Sequence, residues 1–229
     1  MALILSIDTA LEDASLCIAE DAQVLGVRKN NRQTDHAAWI QVAIKDLLTE
    51  TERKLSELSA IAVCAGPGSY TGLRVGMATA KGMCYALGIP LITESTLLLI
   101  SQRVKKEIAL TMVNGLPVLI CPMIDARRME VFTAFFDPEM NLKMPPGAIV
   151  LDEWSFSKEF KENVIIFCGN GSKKWQHLCN NTNAVFVEVS RNVEDLAESA
   201  EKKYQNAAFS DLAYTEPEYL KNVYTGKSK

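Results

Sequence analysis

The stretch IAVCAGPGSYTGLRVGMATAKG, residues 61–82, joins an uninterrupted apolar run to a glycine-rich turn and then to a helical pattern. Residues 61–65 are predicted to form a buried strand, because a short apolar run without alternation suits a strand covered on both faces. The turn Gly66-Pro67-Gly68 leads into a helix predicted from about Tyr70 to Leu87, which Gly88 ends. A strand that passes through a tight turn into a helix indicates an α/β fold.

The segments on either side of this unit extend it into a mixed sheet. The predicted elements are strands at 3–8, 15–19 and 24–29, a helix from an N-cap at Thr34 to about 51, a strand at 89–93 and a helix at 95–107. The resulting order βββαβαβα predicts a sheet covered by helices, because parallel strands need crossover connections. We assign residues 1–106 to this first lobe.

The second half of the chain continues the α/β pattern in a shorter form. It is expected to contain strands at 118–124, 131–136, 149–151, 164–168 and 185–187, a Pro/Gly-rich loop at 137–147, helices at 173–179 and 193–205, and an irregular tail from 210 to 229. Residues 107–229 therefore form an abbreviated second lobe, whose last helix can pack back on the first. A polar segment at 105–115 marks the boundary, and no internal sequence repeat is evident.

Charge and composition exclude several classes of protein. The net charge of -4 and the pI of about 5.4 argue against a chain that grips nucleic acid unaided, because phosphate neutralisation needs clustered cations. No segment approaches the ~20 apolar residues of a membrane span, and the first residues lack the pattern of a signal peptide. The six scattered cysteines form no C-x-x-C motif. We expect a cytoplasmic protein with reduced thiols and no membrane contact.

Two stripes of the helix after the glycine turn lack side-chain bulk. Glycine in a helix interior costs about 1 kcal/mol relative to alanine, so close backbone packing must offset the cost. The two stripes, each at four-residue spacing, are Gly72, Gly76 and Ala80, and Ala78, Gly82 and Ala86. One stripe fits packing on the helix's own sheet. The other fits a neighbouring helix, either of this chain or of another.

The candidate ligand-binding motifs are incomplete. The glycines at 66, 68 and 72 match neither a dinucleotide-binding pattern nor a P-loop. Asp8-Thr9 resembles the first phosphate motif of actin-like phosphotransferases, but no glycine follows, so a turn-capping aspartate is favoured and nucleotide binding is not expected. The turn Gly169-Asn170-Gly171 resembles an adenosine-contacting turn of that superfamily, although a plain strand-to-helix turn explains it.

Metal and catalytic centres are not expected either. His36 and His177 are the two histidines, and we interpret both as surface or capping residues, since a metal needs at least three converging ligands. The segment DARRMEV at 125–131 could be a site, or a solvated turn in which Asp125 and Arg127 brace the backbone. A catalytic triad is not ruled out by sequence, but no nucleophile-elbow signature is present.

Taken together, four segments resemble the TsaB family: Ile7-Asp8-Thr9, GPGSYTGLRVG at 66–76, DARRMEVF at 125–132 and the run at 216–221. The resemblance spans the chain, and GPGSYTGLRVG is its most specific element. It implies an actin-like ATPase or RNase H-type α/β fold of two lobes, each with a mixed sheet flanked by helices. It also implies a non-catalytic partner of TsaD in threonylcarbamoylation of adenosine 37 in tRNAs that read ANN codons.

The resemblance further implies the partners and the surface that binds them. The N-terminal helices would form a heterodimer with TsaD, a TsaE-like ATPase would join, tRNA would be reached only through the complex, and the same surface could form a homodimer when TsaD is missing. The interface residues expected on this basis are Ala43, Leu47, Gly72, Leu73, Gly76, Met77 and Ala80. We expect no catalytic residue, cofactor or metal. The variant Gly76→Leu is then expected to abolish heterodimer formation while leaving the chain folded.

Two other functions are compatible with such a fold. The first is an ATP-dependent small-molecule kinase of the actin-like superfamily, against which the missing glycine after Asp8 argues. The second is a metallopeptidase-like protein, although His36 is followed by Ile40 where TsaD carries the second histidine of its H-x-x-x-H pair. Calorimetry with Mg-ATP and metal analysis would separate these alternatives from a binding partner.

Overall fold

The computed structural model describes residues 1–31, 35–108 and 115–221. The first half contains β1 (Leu3–Asp8), β2 (Ala14–Glu20), β3 (Gln23–Asn30), α1 (His36–Glu50), β4 (Ala60–Gly66), α2 (Tyr70–Leu87), β5 (Leu91–Ser95) and α3 (Thr96–Glu107). The second half contains β6 (Val118–Asp125), β7 (Glu130–Phe136), β8 (Leu142–Val150), β9 (Val164–Cys168), α4 (Lys173–Gln176), β10 (Ala184–Phe186) and α5 (Val193–Gln205). Short 3-10 turns lie at Leu55–Glu57 and Glu159–Lys161.

Both halves contain a five-stranded sheet with the same topology. The first sheet has the order β3-β2-β1-β4-β5 and the second has the order β10-β9-β6-β7-β8. In each sheet the first three strands pair antiparallel in sequence order, the fourth pairs in parallel with the first, and the fifth pairs in parallel with the fourth. The fold is therefore the duplicated actin-like or RNase H-type architecture predicted from sequence, and the repeat lies in topology although no sequence repeat is evident.

Helices cover both faces of the first sheet. Alternate residues of β1 point to opposite faces, as the twofold period of a strand requires. Leu5 and Ile7 pack with residues of α1 and α2, whereas Ile4 packs with residues of α3 and α5. Helix α5 belongs to the second half of the sequence but lies on the first sheet, and α3 also packs under the second sheet against β6. The two sheets thus share a helical layer.

Some expected elements differ from the structure. Most of the loop expected at 137–147 is the strand β8, and its two prolines are tolerated because β8 is an edge strand with a partner on one side. The helix expected at 173–179 ends at Gln176. The expected N-cap Thr34, part of the polar segment at 105–115 and the tail after 221 lie outside the described residues. In the structure Asp35 is the N-cap of α1. Across the described residues, no helix is long and apolar enough to span a membrane.

Candidate partner surface and interlobe cleft

The N-terminal end of α2 is occupied by the chain itself. The Ser69 amide donates a 2.6 Å hydrogen bond to the Ala10 carbonyl, and the Ser69 hydroxyl accepts from the Gly72 amide at 3.3 Å. A Cβ on Gly68 would lie 2.1 Å from the same Ala10 carbonyl oxygen. Helix N-termini bind anions through their free amides, but here the amide of the N-cap residue Ser69 donates to the turn after β1. The glycine turn therefore fixes α2 to β1.

The stripe Gly72, Gly76 and Ala80 faces the sheet of its own lobe. A Cβ on Gly72 would lie 2.1 Å from the Thr9 carbonyl oxygen, and one on Gly76 would lie 2.3 Å from Thr9 Oγ1. The Thr9 hydroxyl also donates a 2.7 Å hydrogen bond to the Gly72 carbonyl. Ala80 is fully buried. These small residues let the backbone of α2 approach β1, which offsets their low helix propensity.

The residue set expected for the partner interface requires correction. Of the seven positions, the five that are not glycine are at most 3% exposed, and both glycines are buried. Side chains in the core of the chain present no surface to a partner. The expectation for Gly76→Leu is corrected too, because a leucine there would collide with Thr9 and Val63 inside the fold. That variant is expected to unfold.

Helices α1 and α2 are exposed to solvent on the side that faces away from the core. The other small-residue stripe, Ala78, Gly82 and Ala86, is exposed, and a Cβ on Gly82 would meet nothing within 4 Å. Tyr85 is 83% exposed beside this stripe, and Val42 on α1 is 59% exposed. We call the face formed by Val42, Ala78, Gly82, Tyr85 and Ala86 the outer helical face.

Asp8 lies at the bottom of a cleft between the lobes. Its carboxylate accepts a 3.1 Å hydrogen bond from the Ala10 amide, which confirms the expected turn-capping role. It also forms an ion pair with the Arg191 guanidinium at 3.1 Å, although Asp8 is only 2% exposed. No sequence pattern pointed to Arg191, which is 183 residues away from Asp8 along the chain. The cleft of about 460 Å³ above this pair is lined by residues of both halves.

The DARRMEV segment forms a tight turn, in which Asp125, Arg127 and Arg128 are exposed to solvent. The Asp125 carboxylate accepts hydrogen bonds from the Arg127 amide at 2.6 Å and from Lys174 at 2.8 Å. Partial burial raises the pKa of Asp125, but these two hydrogen bonds outweigh it and hold that pKa below its usual value. Asn170, in the turn after β9, accepts the Asp125 amide at 3.0 Å. The bracing predicted for Asp125 is confirmed, whereas the Arg127 side chain forms no hydrogen bond within the part of the chain that the structure describes.

Potential ligands for metal chemistry do not converge within the described ranges. No group of three His, Cys, Asp or Glu residues there could hold a metal ion. His36 is 4% exposed, so its expected surface position is wrong, and both its ring nitrogens lack partners among the described residues. Burial raises the pKa of the Cys17 thiol to about 12 and of the Cys84 thiol to about 11. These thiols are therefore protonated near neutral pH and poor nucleophiles.

The fold and the glycine turn define a two-lobed protein of the actin-like class in which the N-cap of α2 packs against the turn after β1. A family model described as "TsaD: tRNA N6-adenosine threonylcarbamoyltransferase" matches residues 18–227. The chain belongs to this family, and its resemblance to the TsaB branch is confirmed by curated relatives.

Two relatives carry the name tRNA threonylcarbamoyladenosine biosynthesis protein TsaB. The Bacillus subtilis protein is 28% identical over 170 residues, which cover 73% of this chain and 70% of that protein. The Escherichia coli protein is 32% identical over 138 residues, which cover 60% of this chain and 56% of that protein. The aligned region thus spans little more than half of the E. coli protein.

A solved structure confirms the fold. YeaZ from Pseudomonas aeruginosa superposes with a TM-score of 0.77 at 23% identity, over 96% of this chain and 100% of that one. The Lmo2764 protein of Listeria monocytogenes, a candidate N-acetylmannosamine kinase, superposes with a TM-score of 0.52 at 11% identity, over 90% of this chain and 99% of that one. At these identities the similarity shows the fold alone.

Proposed function

We propose that this chain is the non-catalytic partner of a TsaD-like transferase in threonylcarbamoylation of adenosine 37 of tRNAs that read ANN codons. The relatives named TsaB support the pathway. The observation that carries the partner role is the exposed outer helical face, where a stripe without side-chain bulk runs beside Tyr85. A cytoplasmic location follows from this role.

The shape of the outer helical face fits a second pair of helices. Helices pack by setting ridges of side chains into grooves, and a stripe of glycine and alanine lets two helix backbones approach closely. Ala78, Gly82 and Ala86 form such a groove, Tyr85 is an exposed ridge on the same helix, and Val42 is exposed on α1. Tyrosine and valine left largely in water gain free energy when a partner covers them. The seven buried residues support this face from below and do not contact the partner.

The interlobe cleft supports a role without chemistry in this chain. In kinases of this superfamily a carboxylate at the end of the first strand positions hydrated magnesium, but here Arg191 neutralises the carboxylate of Asp8. At the start of α2 the Ser69 amide donates to the Ala10 carbonyl and the Gly72 amide to the Ser69 hydroxyl. His36 is buried, and Ile40 one turn later offers no metal ligand. These features favour a binding partner over a kinase or a metallopeptidase.

A non-catalytic partner acts through its binding free energy. If the outer helical face binds only the productive conformation of the TsaD-like subunit, that conformation becomes more populated. A TsaE-like ATPase would then join the heterodimer, and tRNA would be bound by the assembly. A homodimer through the same face would form when the catalytic subunit is missing, because the same apolar surface then covers itself.

The test is co-elution with a TsaD-like subunit in size-exclusion chromatography. Tyr85→Glu places a charge on the outer helical face and is expected to abolish co-elution. Trp154→Glu is the matched control, because Trp154 is also largely exposed, at 72%, and lies in the other lobe. Reconstituted tRNA modification should be lost when the chain is omitted and with Tyr85→Glu, but kept with Trp154→Glu. Retained co-elution of folded Tyr85→Glu would refute the interface.

A further inference from the structure

The turn that presents Arg127 and Arg128 is rigid, and its function is not explained by the partner interface. Both arginines have positive φ angles, 71° and 50°, which is costly for residues with side chains. The Ala126 amide donates to the Glu130 carbonyl at 3.0 Å and the Glu130 amide to the Arg127 carbonyl at 3.1 Å. Asp21 and Ala22 in the turn between β2 and β3 have a similar pair of positive φ angles, 48° and 64°, so the conformation is that of a tight hairpin turn.

Both guanidinium groups of this turn are free to bind an anion. Arg127 and Arg128 are exposed, and within the described part of the chain neither side chain has a hydrogen bond or an ion pair. The two acids that flank them in sequence, Asp125 and Glu130, are already paired with Lys174 and Lys221. Guanidinium groups bind phosphate through two parallel hydrogen bonds, so a pair of free arginines held on a rigid turn fits a phosphate-bearing ligand.

An aromatic pair lies across a groove from this turn. The groove has a volume of about 890 Å³ and is lined by Arg127, by the start of α2 and by residues 218–221. The rings of Tyr70 and Tyr219 are 5.0 Å apart, with 41% and 39% of these residues exposed. The Arg74 guanidinium lies 5.0 Å from the Tyr70 ring centre. Exposed rings beside arginine are the platform on which proteins stack unpaired bases.

From these features we propose that the groove between the Arg127-Arg128 turn and the Tyr70-Tyr219 pair holds an unpaired RNA loop, with phosphates on the arginines and a base on the tyrosines. This rests on the proposed function, because the net charge of -4 leaves the chain dependent on a larger assembly for most of its affinity. Three carboxylates line the groove. Asp125 is paired with Lys174, burial raises the pKa of Glu218, and Glu12, which has no partner in the described residues, opposes the ligand.

The test measures RNA binding by the complex of this chain with its TsaD-like subunit, and by the chain alone, using fluorescence anisotropy. The probe is a labelled RNA hairpin of about 17 nucleotides with an unpaired loop, compared with a blunt RNA duplex of equal length. Arg127→Ala with Arg128→Ala is expected to weaken hairpin binding by about tenfold or more and to flatten its salt dependence. Lys158→Ala with Lys161→Ala removes the same charge at two exposed lysines away from the groove and should change binding less than about twofold.

Further variants separate base stacking from charge. Tyr219→Leu should weaken hairpin binding but not duplex binding, and Tyr219→Phe should restore it, because the ring and not the hydroxyl stacks. Glu12→Gln should tighten binding by removing the opposing charge. Competition by tripolyphosphate as effective as by unlabelled hairpin would reduce the groove to a phosphate site and overturn the proposal. Equal competition by AMP would assign it to a free nucleotide instead, with the same consequence.

Co-elution in the same samples distinguishes the failure of this inference from the failure of the proposed function. If the wild-type complex forms but the arginine variants bind the hairpin as tightly as wild type, the groove does not hold RNA and the partner role stands. If the arginine variants lose the TsaD-like subunit, the turn is a protein contact and the inference is wrong. If the wild-type chain does not co-elute with that subunit, the proposed function itself fails.

Discussion

Thr9 and Gly76 are in contact where the residue after β1 meets α2, and Thr9 Oγ1 lies where a side chain on Gly76 would stand. A Cβ on Gly76 would be 2.3 Å from this oxygen, whose hydrogen bond to the Gly72 carbonyl measures 2.7 Å. Thr9 is fully buried. The end of β1 and the first turns of α2 thus form one closely packed unit, and this unit fixes the side of α2 that faces the core.

The two glycines at positions 76 and 82 are expected to respond to alanine in opposite directions. Gly76→Ala introduces an overpacked methyl against Thr9 and should lower the free energy of unfolding by roughly 1–3 kcal/mol. Gly82→Ala meets nothing within 4 Å and should raise it by up to about 1 kcal/mol, because alanine has the higher helix propensity. Urea denaturation of the two variants measures both values. Shifts of the same sign would contradict the close approach at Gly76.

Removing the cation of the buried ion pair between Asp8 and Arg191 is expected to lower the free energy of unfolding more than breaking a partly exposed ion pair does. Arg191→Met leaves the Asp8 carboxylate buried without its cation and should cost roughly 3–5 kcal/mol of unfolding free energy. Arg53→Met breaks the Arg53–Glu20 pair, which is about 30% exposed, and should cost at most about 1 kcal/mol.

The double variant Asp8→Asn with Arg191→Met provides the second measurement for this pair. It removes the uncompensated charge, so it should unfold at a higher urea concentration than Arg191→Met alone. A double variant no more stable than the single one would show that Arg191 acts through packing and not through the charge of Asp8.

The sequence was sufficient to predict most of the fold because its patterns are local. The strand before Gly66 and the helix after Ser69 follow from an apolar run, a glycine turn and a helical period, and the order of elements then implies a mixed sheet. The strand β8 was predicted as a loop because its two prolines discourage strand formation, and its edge position, which tolerates them, is a property of the whole sheet.

The sequence did not show which side of α2 faces the core. The residues assigned to the partner interface depended on that choice. Both small-residue stripes were recognised, but the choice of which one faces the core depends on the contact between Thr9 and Gly76, which are 67 positions apart in the sequence. The interface was therefore placed on the buried stripe. Arg191 was missed for the same reason, since an isolated arginine near α5 gives no sign that it reaches Asp8.

Glu198 is expected to give the protein a stability that declines in acid. Hydrogen bonds from Lys106 at 2.5 Å and Lys202 at 2.8 Å lower the pKa of Glu198 from 4.5 to about 2. Because the folded pKa is below the unfolded one, the contribution is complete above about pH 4.5 and is lost as the pH falls towards 2. Wild type and Glu198→Gln should therefore differ in melting temperature at neutral pH and converge in this acid range. Glu153→Gln, at an exposed position without a partner among the described residues, should show no such convergence.

Lys81 is expected to control the mobility of the chain after α5. Its ammonium group donates hydrogen bonds to the Ala213 carbonyl at 3.2 Å and to the Thr215 carbonyl at 2.8 Å, and a few residues later the Glu218 amide donates to the Ala65 carbonyl at 2.6 Å. Hydrogen bonds from a charged donor contribute about 1.5–3 kcal/mol each, so Lys81→Met should raise the amide exchange rates of residues 213–218 by at least about tenfold.

The control for this variant is Lys45→Met, which removes an exposed lysine of α1 with no partner in the described residues and should leave exchange in 213–218 unchanged. Hydrogen exchange measured by mass spectrometry separates the two effects, because exchange in β1 and β4 reports global opening and should stay constant in both variants. If Lys81→Met left the exchange rates of 213–218 at their wild-type values, the segment would be held by the contacts of Glu218 with Ala65 and of Tyr219 with Tyr70. If the exchange of β1 rose as well, the segment would be part of the global folding unit, and Lys81 would stabilise the whole first lobe.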